Sequence, residues 1–143
     1  MSDVPGGAHT WLVLWKAARA VERRAFESID GTGLCDSDFA VLEALLHKGP
    51  LPVNVLGRKV LLTTGSITVA VDRLVKRGLV ERTDHPDDRR VRLVALTQAG
   101  RAVIEAAFAR HAADLDALVA VLSADERTTL VALLERLGRA AEA

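Results

Sequence analysis

The stretch RTDHPDDRRVRL, residues 82–93, concentrates three acids, one histidine and four arginines between two apolar runs. Carboxylates and an imidazole can bind a metal ion or transfer protons, whereas clustered arginines bind anions such as phosphate. A solvated turn without chemistry is the third interpretation. Which of these applies depends on the elements that carry the stretch.

A metal site is the first alternative, and its potential ligands are Asp84, His85, Asp87 and Asp88. Pro86 and a tight turn make it awkward for these side chains to converge on one ion. The stretch has one imidazole and no nearby thiol, whereas structural zinc sites use Cys and His pairs at set spacings. We therefore expect no metal and no cofactor. We also expect no enzyme, because the chain has no nucleophile elbow, Walker loop, His–Glu zinc motif or dinucleotide fingerprint.

A second stretch, TTGSIT at residues 63–68, begins a predicted helix at 64–77 with small hydroxylated side chains. Hydroxyls and free amides at a helix N-terminus hydrogen-bond phosphates and base edges, and the helix dipole favours an anion there. Gly65 lets a duplex approach the backbone closely. From this helix we predict DNA contacts by Thr63, Thr64, Gly65, Ser66, Thr68, Arg73 and Lys76.

The elements around both stretches follow the order of a winged helix-turn-helix. Helical patterns cover residues 9–28 and the segment with Phe39, Leu42 and Leu45, followed by a short amphipathic piece at 53–60. After the helix at 64–77, two alternating β-rich runs (79–84 and 89–96) flank HPDD, a Pro–Asp turn. Two further helices begin at Thr97 and at a capping box, SADE, at 123–126. The predicted fold is mainly α with a small β-hairpin wing.

The two β-rich runs form the predicted wing, and its arginines are candidates for DNA contact. Arg89 and Arg90 lie at the tip, where they can enter a minor groove. Arg82 is a further candidate in the first run. We assign a single domain, 1–143, with a DNA-binding lobe at about 34–96. The helices at about 8–28 and 97–141 carry more apolar surface than they can hide, which indicates a dimerisation region.

Charge and composition are compatible with this interpretation. The chain has 19 basic and 19 acidic residues, but residues 58–92 hold nine basic and five acidic ones, a local excess of +4. A basic segment between acidic flanks indicates an anionic partner. The chain shows neither a signal peptide nor an apolar run long enough to cross a membrane, and its single cysteine fits a reducing compartment. We expect a cytoplasmic protein that does not contact membranes.

The run from Leu34 to Gly100 resembles the MarR family of bacterial transcription regulators. LCDSDFAVLEAL resembles the family's second helix, and PDDRRVRLVALTQAG resembles its wing, with Asp-Arg-Arg, an alternating strand and then Leu-Thr-x-x-Gly. The resemblance implies a homodimer on a pseudo-palindromic double-stranded operator, usually a repressor released by a small phenolic ligand or an oxidant. The branch that responds to hydroquinones and related aromatics looks nearest. In the wing, the pattern implies that Asp88 orients Arg90.

The family also implies where an effector would bind. Its ligands lie between the dimerisation helices and the DNA-binding lobe, partly against the first helix. An aromatic, weakly cationic pocket suited to phenolate could be lined by His9, Trp11, Trp15, Arg19, Phe39, Phe108 and His111. Trp11 and Trp15, one helical turn apart, could equally be packing or dimer-interface residues.

Cys35 stands where the family usually has a Ser or Thr cap on the second helix. It is either a small, half-buried residue without chemistry, or a thiol that quinones alkylate or oxidants oxidise. A helix N-terminus stabilises a thiolate, but the nearby Asp36 and Asp38 oppose it. A redox or electrophile sensor is therefore one alternative function, and a protein-interaction module without DNA is another.

Overall fold

A computed structural model describes residues 3–60 and 62–143, and of Thr64 it describes the backbone only. Within these residues the chain is mainly helical, with one small sheet, which confirms the predicted fold class. The elements in chain order are α1 (Gly7–Asp30), α2 (Asp36–Lys48), β1 (Leu51–Pro52), α3 (Val53–Lys59), α4 (Thr64–Lys76), β2 (Val80–Asp84), β3 (Arg92–Leu96), α5 (Gln98–Val119) and α6 (Ala124–Glu142).

The chain divides into two compact units, the first ending at His111 and the second spanning Ala112–Ala143. The boundary lies inside α5. A single domain over residues 1–143 therefore stays a prediction. Among the described helices, none is both long and apolar enough to span a membrane.

The core of the first unit forms where the apolar stripes of α2 and α4 meet α3, α5 and the sheet. On α2 the buried stripe includes Phe39, Leu42 and Leu45, at the helical spacing that the sequence showed. On α4 it consists of Ile67, Ala70, Val71 and Leu74. Gly57 of α3 allows close packing on α4, because a Cβ there would lie 3.1 Å from Ile67 Cγ2.

The sheet is antiparallel, with strand order β1-β3-β2. In the wing, Val80 pairs with Leu96 and Asp84 with Arg92. The sequence predicted these two strands as a hairpin, and that is correct. It missed β1, which pairs Leu51 with Val94. Two residues are too few to show the alternation that identifies a strand.

The predicted second run of the wing, 89–96, is longer than the strand found, because β3 begins at Arg92. Residues 85–91 form the wing tip instead. Val91 N donates to Asp88 O at 3.1 Å, and His85 N donates to Val91 O at 3.0 Å. These bonds close a turn that ends the alternation before the strand starts.

Both ends of α4 are fixed by local signals in the sequence. Thr63 caps the start, where its hydroxyl accepts a hydrogen bond from Ser66 N at 3.2 Å. At the other end Gly78 has φ +74°, the left-handed conformation that favours glycine. Gly78 N donates to Val75 O and Leu79 N to Leu74 O, both at 3.0 Å, which is the Schellman motif.

The start of α5 packs directly on the base of the wing. Thr97 N donates to Leu79 O at 3.1 Å, and the Thr97 hydroxyl donates to Gly78 O at 2.6 Å. Gly100 lies against the same place, since a Cβ there would be 1.8 Å from Leu79 O. We call these four residues, Gly78, Leu79, Thr97 and Gly100, the wing–α5 seam.

Two of the three predicted dimerisation helices expose most of their surface. In α1, with 24 residues, only Ser28 and Ile29 are buried, and no residue of α6 is buried. The predicted capping box at the start of α6 is present, with Ser123 and Glu126 each bonded to the other's backbone N–H. Exposed large apolar residues are Trp11, Leu12, Val13, Trp15, Val21 and Phe26 on α1, and Leu130, Val131, Leu133, Leu134 and Leu137 on α6.

Candidate nucleic-acid interface

The first turn of α4 presents small, exposed residues and carries no acidic side chain. Ser66 is exposed, and a Cβ built on Gly65 would meet no atom within 4 Å, so the backbone there is open to a duplex. Thr68 and Lys76 continue the exposed face along the helix. The side chain of Thr64, another predicted contact, lies outside the described part of the structure. The arrangement provides open amides at a positive helix end for a phosphate.

Thr63 caps the start of α4, a structural role in addition to its predicted DNA contact. Its hydroxyl oxygen accepts from Ser66 N, while its proton goes to Ser66 Oγ at 3.0 Å. Both hydrogen bonds are made within the cap itself. A DNA contact by Thr63 therefore stays a prediction.

Arg73, which the sequence predicts to contact DNA, also has partners on α2, and its DNA contact stays a prediction. Its Nε donates to both oxygens of Asp38, at 3.0 and 3.2 Å, and its Nη2 to Ser37 Oγ at 3.2 Å. The hydrogen bonds to Asp38 raise the pKa of Arg73 above its ordinary value. Arg77 Nη1 also approaches Asp38, at 3.3 Å. Arg73 thus joins two helices of the lobe, and only a part of its guanidinium is left for a phosphate.

Arg82 also has an intramolecular partner, because its Nη2 donates to Asp72 Oδ1. Asp72 belongs to α4 and Arg82 to β2, so the pair ties the wing to the recognition helix, as we call α4 from here on. A DNA contact by Arg82 stays a prediction. The ion pair with Asp72 is a second role, which the sequence did not indicate.

Asp88 and Arg90 at the wing tip make the contact that the family pattern implied. Arg90 Nε donates to Asp88 Oδ1 at 3.2 Å, and Arg90 N donates to the same oxygen at 3.0 Å. The hydrogen bond from the Arg90 side chain has the larger effect and that from Arg90 N the smaller, and together they hold the pKa of Asp88 below its ordinary value. The Arg90 side chain is nevertheless 91% exposed. It is oriented by the acid and still available to a ligand.

The other charged residues in and beside the wing tip make contacts within the wing. Asp84 and Arg92, opposite each other in the strands, form an ion pair at 3.5 Å, and Asp87 N donates to His85 Nδ1 at 3.0 Å. Arg89 is exposed. Among the described residues, no group of three His, Cys, Asp or Glu side chains could hold a metal ion. The charged stretch 82–93 therefore consists of ion pairs and turn hydrogen bonds, and two of its arginines, Arg89 and Arg90, remain exposed.

Cys35 is the N-cap residue of α2, as the sequence indicated, but its thiol is exposed rather than half-buried. Sγ makes no cap hydrogen bond; it lies 3.5 Å from Ser37 Oγ and 3.8 Å from Arg73 Nη2. The thiol therefore borders the Asp38–Arg73 ion pair, where solvent and small reagents can reach it.

The predicted effector residues are only partly brought together. Phe39 is 1% exposed, and its ring meets that of His111 edge-on at 4.9 Å between centroids. The buried His111 bonds Ser28 Oγ through Nδ1, at 3.1 Å. Phe108 is half-buried and meets the ring of His47. By contrast, the remaining candidates, His9, Trp11, Trp15 and Arg19, are exposed.

Sequence reasoning missed the three partners that organise the interface, Asp38, Asp72 and Arg77. Asp38 had a detectable signal, because it stands at i−4 and i−7 from the buried Leu42 and Leu45. An acid on an apolar stripe is rarely buried unless it is paired, so it calls for a cation from a neighbouring helix. Asp72 and Arg77 lie on an exposed face and carried no comparable signal.

Helices α3 and α4 followed by the wing define the class of winged helix-turn-helix proteins, which bind DNA. A sequence model of the MarR family matches residues 32–91. The HTH-type transcriptional regulator MhqR of Bacillus subtilis (strain 168) is 38% identical over 128 residues, covering 90% of this chain and 88% of that protein.

Solved structures agree with the sequence comparison. MarR from E. coli, crystallised as a mutant with operator DNA, matches with a TM-score of 0.73 and 29% identity, over 87% of this chain and 90% of that chain. Bordetella bronchiseptica BpsR, described with regulation of its DNA binding by 6-hydroxynicotinic acid, matches with a TM-score of 0.73 and 26% identity, over 89% of this chain and 98% of that chain. The chain belongs to the MarR family of transcriptional regulators, which are DNA-binding proteins and not enzymes.

Proposed function

We propose that the protein is a homodimeric repressor that binds a pseudo-palindromic operator and is released by a small phenolic or quinone compound. One observation carries the DNA-binding part. The acid-free first turn of α4 and the Asp88-oriented Arg90 are both exposed within one compact unit. The first suits a major groove and the second a minor groove. A role on genomic DNA also supports the cytoplasmic location.

The operator can be identified with the purified protein. Sequencing the genomic fragments that it retains should return a site with two similar half-sites about one helical turn apart. Retention of fragments without a common sequence would contradict operator recognition. A protein-interaction module would retain no DNA at all.

Arg90→Ala tests the wing. The variant should weaken operator binding and lower the slope of log affinity against log salt by about one per subunit, because fewer counterions are released. Fluorescence anisotropy over a range of salt concentrations measures both. Arg139→Ala on α6 removes the same charge from an exposed position outside the proposed interface and should change neither. An unchanged affinity and slope in Arg90→Ala would remove the wing from the interface.

The homodimer is supported by the apolar surface of α1 and α6. A single chain leaves Trp11 61% and Trp15 46% exposed, and α6 exposes five large aliphatic residues. Helices that expose this many large apolar side chains are usually covered by a partner. In a symmetric dimer the two recognition helices meet two half-sites, which explains a pseudo-palindromic operator.

The effector is the least direct part of the proposal. It is supported by the resemblance to hydroquinone-responsive regulators and by the aromatic acid named for BpsR. Within this chain, two of the predicted lining residues, Phe39 and His111, are in ring contact with each other, and both are buried. Titration with a panel of phenols should quench Trp11 and Trp15 fluorescence and release the operator. A flat response across the panel would contradict a phenolic effector.

Thiol sensing is a second candidate, which the position of Cys35 favours. The exposed Sγ lies 3.8 Å from Arg73 Nη2, so that a quinone added to the sulfur would displace this guanidinium. Under this mechanism a quinone releases the operator from the native protein but not from Cys35→Ser. Release that persists in Cys35→Ser would leave only the non-covalent mechanism.

A further inference from the structure

Asp38 is a buried carboxylate shared by two arginines, Arg73 in α4 and Arg77 at the C-cap of that helix. Its side chain is 3% exposed, and the nearest guanidinium nitrogens come from Arg73 and Arg77. A buried charge is tolerated only with partners, and a fork-shaped contact from Arg73 supplies the strongest kind. The carboxylate therefore holds both arginines in one geometry.

The two arginines are four residues apart, so they leave the recognition helix on the same side. One acid on α2 consequently holds α4 at two points along its length. The apolar contacts of Ile67 and Leu74 drive the packing of α4, but they are not directional. The buried stripe of α4 determines which face points inward, and a directional bidentate ion pair restricts the remaining rotation of α4 about its own axis.

The rotation of α4 decides which side chains face DNA. Successive residues differ by about 100° around a helix, so each one faces a different direction. A rotation of α4 by a fraction of that angle would turn Ser66 and Thr68 away from the bases that they are proposed to contact. Asp72, the residue before Arg73, forms an ion pair with Arg82 and so joins α4 to the wing. Asp38 fixes α4 to α2, and Asp72 fixes it to β2.

We propose that Asp38 is the positioning residue of the recognition helix, and that it sets discrimination between operator and other DNA rather than the affinity for DNA as such. The inference rests on the proposed function, operator binding through α4. The charge balance supports it: Asp38 neutralises part of the positive charge of Arg73 and Arg77 beside the interface. Without the carboxylate, both arginines attract any phosphate backbone, regardless of sequence.

Asp38→Asn tests this with two DNA probes: the operator recovered from genomic fragments, and a random duplex of equal length. Operator affinity should fall about tenfold, while affinity for the random duplex is unchanged or higher. Asp36→Asn is the matched control, because it removes the same charge from an exposed position in the same helical turn. It should keep the native ratio of the two affinities. Asp38→Glu, which restores the charge, should recover most of the ratio.

A loss of fold would lower both affinities, so circular dichroism accompanies each measurement. Arg73→Lys covers the case in which Asp38→Asn does not fold, because it keeps the charge and removes the bidentate fork. It should lower the ratio as well. A native ratio in folded Asp38→Asn, or in Arg73→Lys if the former does not fold, overturns the inference on Asp38. If the unaltered protein does not discriminate between the two probes, the proposed function itself fails.

Discussion

At the scale of single residues, the wing tip shows how an exposed arginine can be organised without being buried. Arg90 is 91% exposed and still receives its direction from Asp88, two residues away. A long side chain loses rotamer freedom on binding, and an existing partner reduces that loss. Asp88 therefore contributes to binding without touching the ligand.

The pKa of Asp88 tests this contact. Because hydrogen bonds from Arg90 lower it, the carboxylate and the ion pair are present at neutral pH and are lost only as the pH falls through the lowered value. A titration followed by NMR should show the Asp88 pKa below that of an unperturbed aspartate. In Arg90→Ala the pKa should rise toward the ordinary value, whereas in Arg89→Ala it should stay lowered. An Asp88 that titrates identically in the native protein and Arg90→Ala would mean that the contact does not persist in solution.

A contact between two side chains could be predicted from the sequence where the two residues lie close together in the chain. Asp88 and Arg90 lie within one turn, so a family pattern was enough to pair them. Asp38 and Arg73 are 35 positions apart, and their pairing depends on how α2 packs on α4. The sequence therefore indicated Arg73 as a basic residue on a DNA-binding helix, and offered a signal that Asp38 needs a cation, but it did not indicate that these two residues pair with each other.

At the scale of elements, the backbones approach each other most closely at the wing–α5 seam. Gly100→Ala would place a methyl group 1.8 Å from Leu79 O, which is backbone and cannot turn aside. We expect the free energy of unfolding to fall by about 2–4 kcal/mol, because α5 must move away from the wing base. Urea denaturation at fixed protein concentration, followed by circular dichroism, measures it.

Gly65→Ala is the control for this substitution. Gly65 is also helical, in α4, but a Cβ there would meet nothing within 4 Å. The change should raise stability by up to about 1 kcal/mol, because alanine favours the helix. Equal effects of the two substitutions would show that helix propensity, and not the close approach to Leu79, decides the outcome at Gly100.

Elements with their own start and stop signals could be predicted well. The sequence placed a helix at 64–77, and α4 spans Thr64–Lys76, because Thr63 and Gly78 mark its ends. The capping box of α6 is equally local. Strand β1 could not be predicted, since its two residues become a strand only by pairing with β3, more than 40 residues later.

At the scale of the whole molecule, the exposed apolar residues of α6 predict self-association. Leu134→Glu should shift the protein from dimer to monomer in light scattering and weaken operator binding, because a monomer meets one half-site only. Ala132→Glu introduces the same charge about 160° around the helix and should leave the dimer intact. A dimer that resists Leu134→Glu would mean that α6 lies outside the interface.

The wing–α5 seam also bears on how such a protein can diversify. Hydrogen bonds from Thr97 to Gly78 and Leu79 clamp both ends of residues 80–96 to the body of the lobe. The strands between these ends carry Arg82, which pairs with Asp72 of α4, and Val94, which pairs with Leu51, so they are bound to the lobe as well. Only the tip, residues 85–91, lies beyond these ties, and we expect that minor-groove preferences can be exchanged between regulators by grafting this one segment.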